Sequence, residues 1–245
     1  MIKIENVMTV GWEPAIRGAR NPMNSWEKSD SWFSESGVDY RHNINRALEH
    51  VTGSTFGKNL EIGPNDLKLL TNLAKAGSDE AKFRRMIMVY LDVTAPMYWW
   101  KEADTYKVGT VRNSCSTMHK IHAKEFVPED FSIDRLALGP ENIMYATIHD
   151  LNELRKIYLE LNDKDIWYQM IQLLPSSYNQ RATLMLNYEV LANMYHARKN
   201  HKLDEWRSFC KWIETLPYAK ELIICQTIED LPTSPLLDPK YNGGV

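Results

Sequence analysis

The side chains of this chain best suited to chemistry fall in three segments. Residues 109–117 read G-T-V-R-N-S-C-S-T, small or polar throughout, with Lys107 just before them. Hydroxyls, an amide, a thiol and two cations this close together suit either a surface connection or a loop that holds a polar ligand. Near the N-terminus, Ala15-Ile16-Arg17-Gly18-Ala19-Arg20 offers two guanidinium groups on one amphipathic turn. Further on, Arg181, Asn187, Asn193 and Arg198 punctuate an otherwise apolar stretch. Arginine forks suit phosphate and carboxylate, so Arg17, Lys107, Arg112 and Arg198 are candidates for holding an anion. Cys115 with His119 four residues on has the spacing of a thiol and its base on a helix, but the segment has no helical pattern, which favours an inert small residue at Cys115.

These side chains need elements to position them. Residues 86–93 are apolar and β-branched or aromatic, the pattern of a strand buried on both faces. Thr94 then offers a hydroxyl N-cap, and Pro96 suits the first turn of a helix whose Met97-Tyr98-Trp99-Trp100 enter a core. Leu184, Tyr188, Leu191 and Tyr195 recur at helical spacing after the break at Pro175-Ser176-Ser177, which predicts a long helix there. On such a helix Asn187 and Arg198 are three turns apart on one face, about 16 Å along the axis. Asn187 and Arg198 on an apolar stripe require internal partners or a ligand.

Taken together, and in this order, the segments resemble the flavin-dependent thymidylate synthases (ThyX). In that family an A-P opens a helix, an R-H-R tripeptide follows, and a loop of the form S-x-N-E-x-S-x-R-Y precedes S-K-L. Here Thr105-Tyr106-Lys107 occupy the tripeptide, residues 110–118 the loop and His119-Lys120-Ile121 the closing triplet. Arg17 and Arg20 match an A-V-R-x-A-R stretch, and Leu174-Pro175, Arg181, Asn187, Leu191, Asn193 and Arg198 match the spacing of a third block.

The resemblance implies an α+β fold, a mixed sheet with long helices, assembled as a homotetramer. It implies reductive methylation of dUMP or a related pyrimidine nucleotide, using FAD with NADPH and methylene tetrahydrofolate as co-substrates. Lys107, Asn187 and Asn193 would contact the flavin. Arg198, Arg112, Thr110, Asn113 and Cys115 would meet the nucleotide, with Arg17, Arg20 and Arg181 as weaker candidates. Several family cations are replaced: Thr105, Thr117, Ile171 and Glu189 stand where the family has arginine. The family flavin segment H-G-H-x-T/S-P-F-E keeps only Gly77 and Phe83. A catalytically inactive nucleotide- or flavin-binding protein on the same fold, with a regulatory role, is the alternative.

The remaining sequence bounds these readings. Twenty-nine basic against thirty-two acidic residues give a net charge of −3, too little positive charge for nucleic acid as a bulk partner. Cys115, Cys210 and Cys225 are odd in number with no C-x-x-C spacing, which argues against a zinc site or a disulfide framework. The opening M-I-K-I-E-N-V-M alternates like a strand rather than a leader, and no apolar run approaches a bilayer's thickness, so a soluble, cytoplasmic protein without membrane contact is expected. Residues 1–230 read as a single domain and 231–245, rich in proline, as a mobile tail. Helices are expected at about residues 45–50, 66–76, 142–161 and 163–174, with Asp163 as an N-cap, and another ending near Leu216.

Overall fold

The computed structural model describes residues 2–33 and 60–225. The expected tail 231–245 and the helix near residues 45–50 lie outside the described residues. The chain divides into two compact units: Met1–Val7, Tyr90–Leu186 and Asn200–Phe209 form the first, and Met8–Val89, Asn187–Lys199 and Cys210–Val245 the second.

The first unit is organised by a four-stranded sheet in the order β1 (Lys3–Val10), β4 (Met88–Pro96), β6 (Asn179–Asn187), β5 (Val111–Ser114); the short strands β2 (Trp32–Phe33) and β3 (Leu60–Glu61) pair antiparallel in the second unit. Side chains alternate across a strand, so one face can be apolar while the other carries polar groups. Leu91, Val93 and Ala95 of β4 are buried with Ala182, Leu184 and Leu186 of β6. The alternate positions Arg181 and Thr183 are exposed. There the Asp92 carboxylate accepts hydrogen bonds from Thr183 Oγ1 at 2.6 Å, Arg181 Nη2 at 2.7 Å and Asn6 Nδ2 at 2.7 Å. These three donors, Thr183 first, hold the Asp92 carboxyl down at about 2.

Two sequence expectations are corrected on these strands. Residues 179–187 are strand, and the helix begins only at Tyr188, because the R-A-T-L-M-L-N run alternates with period two and the Leu184–Tyr188–Leu191 spacing is a coincidence of that alternation with the helix that follows. Residues 111–114, expected as loop, pair antiparallel with β6, Val111 opposite Met185 and Ser114 opposite Ala182.

Helix α3 (Met97–Ala103) follows β4, and its N-cap is Pro96, while Thr94 lies inside the strand and does not cap. The Met97 and Tyr98 amides donate instead to the carbonyls of Tyr178 and Ser176, at 2.9 and 3.0 Å, so the 175–178 turn satisfies the helix start. As expected, this helix enters a core: Trp99 is fully buried, 4.8 to 5.5 Å from the rings of Trp100, Trp206 and Phe209. Helices α4 (Leu138–Leu161) and α5 (Lys164–Leu173) form a hairpin, and the Asp163 carboxylate caps α5 by accepting from the Asp165 amide. Their inner faces bury Ile148, Leu151 and Met170 against Phe126 and Phe131.

The second unit contains α1 (Trp12–Arg20), α2 (Pro64–Lys75), α6 (Tyr188–Arg198) and α8 (Ala219–Leu222). Helix α7 (Asp204–Ile213) begins in the first unit and ends in this one. Trp12 packs edge-on against Tyr188 at 5.2 Å, and the buried Tyr188 hydroxyl donates to the Pro217 carbonyl at 2.8 Å. Gly11 precedes α1 at φ 89°, and a Cβ there would lie 2.1 Å from the Met86 carbonyl oxygen, so both conformation and space require glycine.

A buried ion pair ties α1 to α2. Arg20 Nε donates to Asp66 Oδ1 at 2.6 Å, with both residues within 5% of full burial. The other Asp66 oxygen accepts from the hydroxyls of Ser29 and Ser31 and from the amides of Asp30 and Ser31. Burial alone would raise this carboxyl, but the hydroxyls and Arg20 together hold it below the usual range. Asp30 in turn accepts from the Asn65 and Asp66 amides and so caps α2.

Replacing Asp66 by Asn strands a buried guanidinium and is expected to cost about 3 kcal/mol of folding free energy, read from urea unfolding. Both Asp66 and Asp92 have depressed carboxyls in the folded state, so their stabilisation is complete above the unfolded aspartate range, about pH 4, and is lost as pH falls below it. Urea midpoints should therefore fall between pH 5 and about 2. Asp92→Asn should flatten that dependence, and an unchanged pH profile in the variant would contradict the role given to Asp92.

Candidate functional site

The first unit holds six of the sequence-derived residues: Arg181 on β6, Thr110, Arg112, Asn113 and Cys115 on or next to β5, and Lys107 in the segment before it. Strand β5 extends the sheet beside β6, and the ladder continues one residue past it, the Cys115 amide donating to the Arg181 carbonyl at 2.8 Å. Gln180 Nε2 donates to the Cys115 carbonyl at 2.7 Å, so the backbone of the loop is fixed on both sides. Lys107, Asn113 and Cys115 are exposed, Asn113 opposite Thr183 in the ladder.

Arg112 is held from three directions. Its Nη1 donates to Asp104 Oδ2 at 2.6 Å, its Nη2 to Gln180 Oε1 at 2.5 Å, and its guanidinium lies 3.9 Å over the Trp100 ring. Arg112 Nε is buried, and so is Thr110 Oγ1 two residues before it; among the described residues neither atom has a hydrogen-bond partner. Residues i and i+2 of an extended chain project to the same side. An orphaned hydroxyl and an orphaned N–H on one side fit an acceptor-rich group or a bridging water.

Arg181 is committed to Asp92 on the polar face of the sheet, as described above. The Ser116 hydroxyl accepts from the Met118 and His119 amides and lies 3.0 Å from His119 Nδ1. His119 therefore turns to Ser116 and not to Cys115. No motif in the sequence distinguishes Ser116 from its neighbours, and only the S-x-x-H spacing could have pointed to it.

The second unit holds the other five. Asn187 is the N-cap of α6 and sits before its first turn, its side-chain oxygen accepting from the Val190 amide at 3.0 Å. The shared face with Arg198 expected from a continuous helix is therefore replaced by a capping position. Asn187 is 7% exposed, and with its oxygen engaged only its amide N–H groups remain as donors to a ligand. Asn193 is exposed, and Arg198 lies in the last turn of α6. Arg17 is exposed on α1, whereas Arg20 belongs to the buried pair with Asp66. Glu189, in the first turn of α6, accepts from Ser78 at 2.7 Å and lies 3.6 Å from Arg85.

Sequence reasoning missed the partners that hold these groups: Asp104, Gln180 and Trp100 around Arg112, and Asp92 with Thr183 and Asn6 around Arg181. Apart from Asp104, eight residues before Arg112, the key pairs are far apart, 68 residues for Arg112 and Gln180 and 89 for Arg181 and Asp92, and leave no local signature.

Comparison with known proteins gives a fold and no family assignment. No family model matches the chain, and no curated protein matches it. A crystal structure of thymidylate synthase X from Helicobacter pylori with FAD and dUMP matches 91% of this chain and 97% of its own length, at TM-score 0.61 and 15% identity. A second structure of the flavin-dependent enzyme from that organism, also complexed with FAD and dUMP, matches 91% of this chain and all of its own length, at TM-score 0.60 and 15% identity. Over nearly its whole length, the chain has a ThyX-like fold of helices and a sheet.

Proposed function

We propose that this protein is a divergent flavin-dependent thymidylate synthase-like enzyme, binding FAD and a pyrimidine nucleotide, dUMP or a relative, for reductive methylation with methylene tetrahydrofolate and NADPH. The observation that carries this reading is the fold likeness across 91% of the chain to two structures that hold both FAD and dUMP. Fold alone does not make function, so the residues must suit the ligands.

In the first unit they suit an oxygen-rich anionic ligand. Thr110 Oγ1 and Arg112 Nε have no hydrogen-bond partner among the described residues, Asn113 and Cys115 are exposed on the other face of the strand, beside Thr183 and Arg181, and Lys107 is exposed in the segment before it. Arg112, Thr110, Asn113 and Cys115 would bind the nucleotide, and Lys107 would place a positive charge near the flavin. In the second unit Asn193 and the Asn187 amide would contact the flavin, and Arg198 would hold nucleotide. FAD, when bound, supplies the hydride; the chain's part is to bind, orient and exclude water. A homotetramer in a cytoplasmic setting belongs to the same proposal. Among the described residues no helix is long and apolar enough to cross a membrane.

One observation favours a second reading, a nucleotide- or flavin-binding protein without turnover and with a regulatory role. Three of the guanidinium groups are closed on internal carboxylates: Arg20 on Asp66, Arg112 on Asp104 and Arg181 on Asp92. A cation already paired offers less to an incoming phosphate.

Visible spectra of the purified protein, before and after FAD addition and desalting, test the flavin; dUMP titration and thymidylate formation with folate and NADPH separate the two readings. Bound flavin with product supports the enzyme, bound flavin or nucleotide without product the binding protein, and neither ligand bound rejects both. Arg198→Ala is expected to weaken dUMP binding at least about tenfold while changing stability by less than about 1 kcal/mol. Asp104→Asn, which releases one arm of Arg112, is expected to tighten dUMP several-fold; an unchanged dissociation constant would remove Arg112 from the nucleotide site.

A further inference from the structure

An amide side chain can accept and donate at once, and Gln180 uses both ends. Its Oε1 accepts from Arg112 Nη2 at 2.5 Å, and its Nε2 donates to the Cys115 carbonyl at 2.7 Å. The Gln180 backbone carbonyl accepts from Trp100 Nε1 at 2.9 Å. The ring of that tryptophan, which is only 3% exposed, lies 3.9 Å from the Arg112 guanidinium. Trp100, Arg112 and Gln180 thus close on one another, each held by the other two. Glutamate in place of Gln180 would accept from Arg112 but turn an oxygen to the Cys115 carbonyl, and methionine would do neither.

The arms of Arg112 are unequal as a result. Nη2 is held by Gln180 in a network anchored on a buried ring, and Nε is itself buried. Nη1 donates to Asp104 Oδ2 at 2.6 Å, and that carboxylate has half of its side chain in water. A pair with so exposed a partner is weak and screened by salt, so another anionic oxygen can exchange for it.

We propose that Gln180 is a positioning residue of the nucleotide site: it holds Arg112 flat on Trp100, so that Nη1 exchanges Asp104 for an anionic oxygen of the ligand while the guanidinium stays in place. The proposal rests on the reading that Arg112 meets the nucleotide. An arginine loses rotamer freedom when it binds, and one already fixed on a face and at one arm has less left to lose. Through its Nε2 the same amide holds the Cys115 backbone, so the start of the following loop keeps its place when Asp104 is released.

Calorimetric titration with dUMP of the full chain, of Arg112→Ala, of Gln180→Met and of the double variant tests it. Gln180→Met is expected to weaken dUMP about fivefold at an unchanged melting temperature, and Arg112→Ala about tenfold. The double variant should bind no more weakly than Arg112→Ala alone, because Gln180 has nothing to position once the arginine is gone. A Gln180 that merely props the Cys115 backbone would add its own loss to that of Arg112→Ala, and such additivity overturns the proposal, as does an affinity that Gln180→Met leaves unaltered. If Gln180→Met lowers the melting temperature, Gln180→Asn, an amide one methylene too short to span both partners, goes through the same cycle with the same expected outcomes. Failure of the unchanged chain to bind dUMP, or binding that Arg112→Ala leaves intact, would instead remove the nucleotide reading of Arg112, and the proposal with it.

Discussion

The two-residue alternation of strand β6 is the constraint on which the candidate site depends. Ala182, Leu184 and Leu186 turn inward and leave water, which fixes the strand's register, because a slip of one residue would exchange its buried and exposed faces. With register fixed, Arg181 and Thr183 must face outward, where Asp92 meets them. The other edge of the strand receives β5 and so sets where Arg112, Asn113 and Cys115 stand. The strand ends at Asn187, whose side chain starts α6, so the same alternation also decides where the helix that carries Asn193 and Arg198 begins.

The cations show how the fold and a ligand compete for the same groups. Arg20 and Asp66 are buried together, and the serine hydroxyls and backbone amides around Asp66 satisfy the rest of the carboxylate, so the pair is structural. Arg181 is half exposed and faces water, where an ion pair contributes at most about 1 kcal/mol, and a ligand could compete for it. Arg112 lies between these limits, stacked on Trp100 and forked between Asp104 and Gln180, with one N–H still unmet. Of the three it is the one whose orientation is fixed while donor capacity remains, the combination a binding group needs.

Elements with a strong local signal were legible in the sequence: β1 from its alternation, α1 and α2 from their amphipathic turns, and α5 from the Asp163 cap that the structure contains. The core role of Trp99 and Trp100 was legible too. The β6–α6 boundary was not, because the four-residue separation of Leu184 and Tyr188 suits both periods and only the ladder with β5 shows that Leu184 is in a strand. Nor was the cap of α3, where the turn at 175–178 supplies the acceptors that Thr94 was expected to provide. At the candidate site the residue types were legible and their partners were not. Asp66 meets Arg20 across 46 residues and Asp92 meets Arg181 across 89, so those pairings depend on the fold and not on local sequence.

Glu189 carries this furthest. By resemblance its position takes an arginine, yet here it is an acid, and the second unit answers it with Ser78 and Arg85. One of its oxygens, Glu189 Oε2, is buried with no hydrogen-bond partner among the described residues, as is Nε of the buried Arg84, whose charge it influences. The acid at this position thus has a hydrogen-bond donor and a cation of its own in this chain. Core alternation can preserve a backbone at 15% identity because many apolar side chains fill the same space. Polar positions have no such latitude: each substitution must bring its own hydrogen-bond partners or leave a group unmet. The ThyX-like fold and a polar set that keeps its own partners, around Arg112, Arg181 and Glu189, are thus consistent with each other.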